Sequence, residues 1–141
     1  MIRAVAVSAR GALVAHPWAA PLWQRVMPGP ARLHFMEVLL RLFDEAGLAS
    51  DVAHYGFHAV VNHVVGYTLQ EQEMMSNFDE SDDLDELARE FLAGVDAERF
   101  PYTVAHVEQH LAGDTGSSFE LVLDLILDGL TRLDGTGSND H

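Results

Sequence analysis

A chain of 141 residues with 22 acidic and 8 basic side chains carries a formal charge of −14. That length suits one domain, and the charge argues against direct nucleic-acid binding, which needs clustered cations. The cations are all arginine (Arg3, Arg10, Arg25, Arg32, Arg41, Arg89, Arg99, Arg132), scattered along the chain, with no lysine. Cysteine is absent, which excludes disulfides, thiolate metal sites and a thiol nucleophile. No apolar run reaches the length of a membrane span, and the first residues lack the apolar core of a secretory signal, so a soluble, cytoplasmic protein is expected.

Helical periodicity dominates, and proline and glycine mark its breaks. Ile2 to Ala15 is rich in alanine and valine and stops before His16-Pro17. A short helix is expected from Trp18 to Val26, closed by Met27-Pro28-Gly29-Pro30. The next runs from about Ala31 to Ala46, with Leu33, Met36, Leu40 and Phe43 expected to face inward, and Gly47 ends it. Ser50 can cap a long helix from Asp51 to about Met75, apolar on more than one side. After the acidic stretch Asn77 to Asp83, a helix starts near Leu84 with acids in its first turn, where the dipole favours them. Pro101 then opens a helix reaching about Leu111. "GDTGSS" leads into a last helix from Ser118 to Leu133, and residues 135–141 are expected to fray.

That last helix is unusual. Glu120, Asp124, Asp128, Thr131 and Arg132 form one polar stripe, while Phe119, Val122, Leu123, Leu125, Ile126, Leu127, Leu130 and Leu133 spread over an arc of roughly 200°. A helix lying on one core needs about half of that arc. The rest requires a second cover, and a stripe this broad exceeds what a soluble monomer usually exposes.

Few motifs suggest chemistry. Asp114-Thr115-Gly116-Ser117 spells the aspartic-protease signature, but that reaction needs two carboxylates brought together by β-structure, so the tetrapeptide reads as a turn whose Ser117 or Ser118 caps the last helix. "FDESDDLDELARE" lacks the ligand spacing of a calcium loop and reads as a solvated cap. His54 and His58 are four apart, as are His106 and His110, and such pairs can share a metal; each would need a third ligand, and His63 turns to another face. No phosphate loop, nucleophile elbow or lysine base is present, so no enzyme is expected. Trp18 and Trp23 read as core aromatics or as ligand contacts.

Three stretches, "ALVAHPWAAPL", "AVVNHVVGYTLQEQE" and "FELVLDLILDGLTRL", together resemble the C-terminal domain of the tetracycline-repressor (TetR) family of bacterial transcription regulators. The likeness covers nearly the whole chain and rests on helix lengths and spaced residues: Gly66, Leu69, Gln72 and Glu73, then Phe119, Leu123 and Asp128-Gly129-Leu130. It implies an all-α bundle of about six or seven helices over residues 1–134, which senses a small molecule and forms a homodimer through a four-helix bundle. The helix-turn-helix domain that would bind operator DNA is expected to be absent from this chain. The uncovered arc of the last helix would then be covered by a second copy. The dimer contacts so implied are His63, Tyr67 and Gln70 on the long helix and Val122, Leu125, Ile126 and Leu133 on the last.

Where the tetracycline repressor holds its drug and metal, this chain has Val5, Ala9, Trp23, Val26, Met27, Leu39 and Gln70. A magnesium-chelated tetracycline therefore does not carry over, and neither a metal nor another cofactor is expected. The replacement is an apolar cavity for a small hydrophobic effector, lined by Trp23, Met27, Leu39, His54, Phe57, His58 and Val61, with the two imidazoles as its main polar groups. Ile2 to Ala15 and the short helix after it would transmit the signal. His63 has two readings, a dimer-seam residue whose charging in acid would weaken pairing, or a hydrogen-bonded core histidine. Rival readings are a metal-binding bundle using His54 and His58, and a pocketless protein-interaction module.

Overall fold

A computed structural model describes residues 1–24, 27–77, 83–112 and 118–137. All regular structure among them is helical: α1 (Ile2–Ala15), a 3-10 turn (Ala20–Gln24), α2 (Pro30–Glu45), α3 (Ser50–Asn77), α4 (Leu84–Gly94), α5 (Pro101–Leu111) and α6 (Ser118–Gly137). None of the described helices is long and apolar enough to cross a membrane.

The ends follow from local chemistry. Pro30 occupies the first turn of α2, where a missing N–H costs nothing, and Gly47 ends that helix at φ 79°, a left-handed conformation that favours glycine. Asp83 caps α4 by accepting from the Asp85 and Glu86 amides, at 2.9 and 3.3 Å. Ser50 is the first residue of α3, and the cap comes from far away: Asp134 of α6 accepts from the Ala49 amide at 2.8 Å.

Helix α3 is the centre of the bundle, packed by α1, α2, the 3-10 turn and α6. Phe57, Val60, Val64 and Thr68 form its buried line, and the Thr68 hydroxyl is satisfied by the Val64 carbonyl at 2.7 Å. Ala6 and Leu13 of α1, Leu39 and Phe43 of α2, and Phe119, Leu123 and Leu130 of α6 close on that line. Each buried leucine or phenylalanine is worth about 1.5–3 kcal/mol against exposure. Helices α4 and α5 pack on each other.

Three expectations need correction. The segment after Pro17 is a turn followed by one short 3-10 stretch rather than an α-helix; Pro17 and Pro21 leave little room for i→i−4 bonds, and Arg25 and Val26 lie outside the described residues. On α2 the inward line is Leu39 and Phe43, whereas Leu33 and Leu40 are exposed. Met36 and Phe43 pack inward as expected, Phe43 close to Gly56 of α3, while Phe35 packs on Trp23. Helix α6 continues to Gly137, into the stretch expected to fray; residues 138–141 and the DTGS turn lie outside the described residues.

Gly56 sets the closeness of α3 to its neighbours. A Cβ there would lie 2.9 Å from the Leu130 side chain and 3.2 Å from the Phe43 ring, while one at Gly11 would meet nothing within 4 Å. Gly56→Val should therefore destabilise by about 1–3 kcal/mol through overpacking, and Gly11→Ala should stabilise by about 0.5–1 kcal/mol through helix propensity. Urea unfolding measures both. A Gly56→Val variant as stable as the parent would mean that α3, α2 and α6 are not in tight contact.

Candidate functional site

The residues expected to line one cavity are distributed in a graded way. Leu39 and Phe57 are in the core, and Trp23 and Val61 are half-buried. His54 and His58 are exposed on the outer side of α3, their ring centroids 4.7 Å apart, and Met27 is 81% exposed. Phe57 and Val61 thus turn toward the bundle while the two histidines, roughly 60–100° around the helix from Phe57, face out. Among the described residues no group of three His, Asp or Glu gathers as a metal site.

A cleft of about 300 Å³ lies where the 3-10 turn and α2 meet α3. Trp23, Val61, Val65 and Leu69 supply its apolar walls, and Arg32 and Asn62 its polar edge. Gly66 leaves space there, since an added Cβ would meet nothing within 4 Å. Phe35 holds the Trp23 ring edge-on at 5.1 Å, and the Arg32 guanidinium lies 5.7 Å from the centroid of the same indole. Trp23 and Val61 are therefore the two expected residues that share this space. A second cleft, about 330 Å³, places His54 beside Leu40 and Asp44, and a third, about 310 Å³, lies by Arg3, Leu130 and Asp134.

The seam between α3 and α6 is antiparallel: Gly56 faces Leu130 near one end, and the Tyr67 hydroxyl meets the Ser118 Oγ at 2.6 Å near the other. His63 donates from Nε2 to the Phe119 carbonyl at 2.8 Å and stacks on the Phe119 ring with centroids 4.6 Å apart. Both His63 and Tyr67 make these contacts within the chain. Beyond the seam, Gln70 is exposed, as are Val122, Leu125 and Leu133, while Ile126 is half-buried.

Sequence reasoning overlooked the polar clamp on α1. One Arg10 nitrogen, Nη2, donates to both Glu71 oxygens at 2.7 Å, and the guanidinium lies 4.9 Å from the Phe119 ring centroid and 5.4 Å from that of Tyr67. Gln72 adds a bond to the Leu13 carbonyl at 3.1 Å, while the Arg10 Nε is buried without a hydrogen-bond partner. At the other end of α1, Arg3 bridges Asp124 at 2.7 Å and Glu120 at 2.6 Å; hydrogen bonds to Asp124 first, then Glu120, raise its pKa above the ordinary arginine value. That outer pair is exposed to solvent and fixes little.

The model of the tetracyclin repressor-like C-terminal domain matches residues 1–133. The chain belongs to that family. A TetR transcriptional regulator from Streptomyces coelicolor has the same fold, with a TM-score of 0.76 and 25% sequence identity over 94% of this chain. This TetR-like chain spans 65% of the length of that regulator, and no curated protein matches it.

Within this TetR-family domain the Arg10–Glu71 pair is a charged tie between α1 and α3, beside the Gln72 bond to Leu13. Arg10→Met and Glu71→Gln should each cost about 1–3 kcal/mol, the range for hydrogen bonds to charged groups, and the double variant should cost less than their sum by about 1 kcal/mol. A double-mutant cycle by urea unfolding gives the coupling. Strict additivity would show that the pair does not hold α1 in place.

Proposed function

We propose that this chain is the effector-sensing and dimerising part of a cytoplasmic TetR-family transcriptional regulator. A small, largely hydrophobic molecule enters the cleft between the 3-10 turn, α2 and α3. It undergoes no reaction there. Two copies pair through α3 and α6 of each, and operator DNA is bound by an N-terminal helix-turn-helix domain lying outside the residues described. The effector acts by favouring one arrangement of the helices over another, which alters the spacing of the two DNA-binding heads.

One observation carries this reading. Helix α6 buries Phe119, Leu123 and Leu130, yet leaves Val122, Leu125 and Leu133 38%, 58% and 60% exposed along one flank. Leaving large apolar side chains in water forgoes about 1.5–3 kcal/mol each, a loss that a second copy of the same face removes. The cleft is the complementary support: its walls are apolar, its polar groups are few, and its volume lies at the lower end of the range for small-molecule sites.

Light scattering on eluting protein tests the pairing. The parent chain should run at twice its chain mass at micromolar concentration. Leu125→Asp should run at the single-chain mass with its helical circular dichroism retained, because the aspartate would be desolvated in the dimer and is harmless in the monomer. A parent chain that is monomeric at those concentrations would remove the reading.

A further inference from the structure

We propose that His54 and His58 form a two-imidazole chelate for a divalent first-row metal ion, of which zinc is the probe, on the outer side of α3. The site is independent of the Trp23 cleft and of the effector that cleft would hold. The two histidines stand four residues apart on one helix, with ring centroids 4.7 Å apart and planes inclined at 77°. A metal–nitrogen bond of about 2.0–2.1 Å puts the ion roughly 3.2 Å from each ring centre, so ligand angles between about 90° and 110° set the two centres roughly 4.5–5.2 Å apart. The spacing already present falls inside that window. Crossed ring planes are no obstacle, since each imidazole can twist about its own bond to the ion.

The surroundings suit such an ion. Both side chains are exposed, and among the described residues no third His, Asp or Glu gathers with them, so water completes the coordination shell. Phe57, buried in the core, lies 5.3 Å from the His58 ring, and Tyr55 lies 5.6 Å from that of His54, so each imidazole has an aromatic neighbour that limits its sweep. Asp44 lines the cleft beside His54, and the chain carries a formal charge of −14, a field that draws cations to its surface. Imidazole ligands select zinc, nickel and copper over calcium and magnesium, which take oxygen. The pair lies roughly 120–160° around α3 from Gln70, so a dimer of the kind proposed leaves it open. A bound ion would clip one turn of α3 near its start, just after the Asp134 cap at Ala49.

Zinc chloride titrated calorimetrically into chelator-treated protein, in a non-coordinating buffer at neutral pH, tests the site. The variants are His54→Ala, His58→Ala, the two combined, and His34→Ala on the exposed side of α2 as a control, each checked for helical content. The parent should take one ion per chain at micromolar zinc, and its melting temperature should rise by several degrees in zinc and return in EDTA. Either single substitution should weaken binding about tenfold or more, because the second imidazole no longer acts within the same molecule. The combined variant should add little further loss, and His34→Ala should match the parent. Absence of saturable binding below millimolar zinc would overturn the chelate. So would binding that survives both single substitutions, or two independent sites lost one at a time.

Discussion

The structure depends on one buried line, Phe57, Val60, Val64 and Thr68 of α3, against which α1, α2 and α6 all close. Burial of that kind is strong but non-directional, and by itself would allow each surrounding helix to slide or turn. Direction comes from a few polar and aromatic fittings. Arg10 grips Glu71 between the rings of Tyr67 and Phe119, His63 ties α3 to the start of α6, and Asp134 caps the start of α3 from the far end of α6. These contacts join residues at both ends of α3, so its register against its neighbours is set twice. The buried Nε of Arg10, left without a hydrogen-bond partner, is the cost of placing a guanidinium between two rings.

Helix α6 shows how one sequence can face two environments. Its inner side belongs to the core of the chain, and its outer leucines have no comparable cover among the described residues. In a dimer of the kind proposed, the two sides make the same type of contact, one within the chain and one between copies. Gln70 of α3 and Leu125 of α6 are both exposed. His63 and Tyr67 join α3 to the Ser118–Phe119 end of α6.

Much of this was readable from residue order, and what was not has a physical cause. The starts of α4 and α5 were legible because Asp83 and Pro101 act locally, within one turn of the helix they open. The two-sided character of α6 was legible as well, since apolar periodicity is a property of one segment. The inner face of α2 was legible only in part: Met36 and Phe43 pack inward as their spacing suggests, whereas Leu33 and Leu40, which repeat as regularly, stay exposed and Leu39 is buried instead. Arg10 and Glu71 stand 61 residues apart, and nothing near either one announces the other. In the candidate site, Trp23 was named by the likeness to the tetracycline repressor and Val61 by helical spacing, whereas Arg32, brought beside them by the packing of α2, was overlooked.

These facts bear on how a signal could leave the cleft. An effector wedged against Val61, Val65 and Leu69 would press on the side of α3 that faces α2 and the 3-10 turn. Helix α1 is fastened to another side of α3 at Arg10 and to α6 at Arg3, and the two fastenings are unequal, the first partly buried and shared with two rings, the second exposed. A displacement of α3 would therefore carry α1 with it at Arg10 while the Arg3 end yields. The result would be a pivot of α1 about its inner attachment. Such a pivot would move the outer end of α1 further than its attachment at Arg10, against the packing of Ala6 and Leu13 in the core.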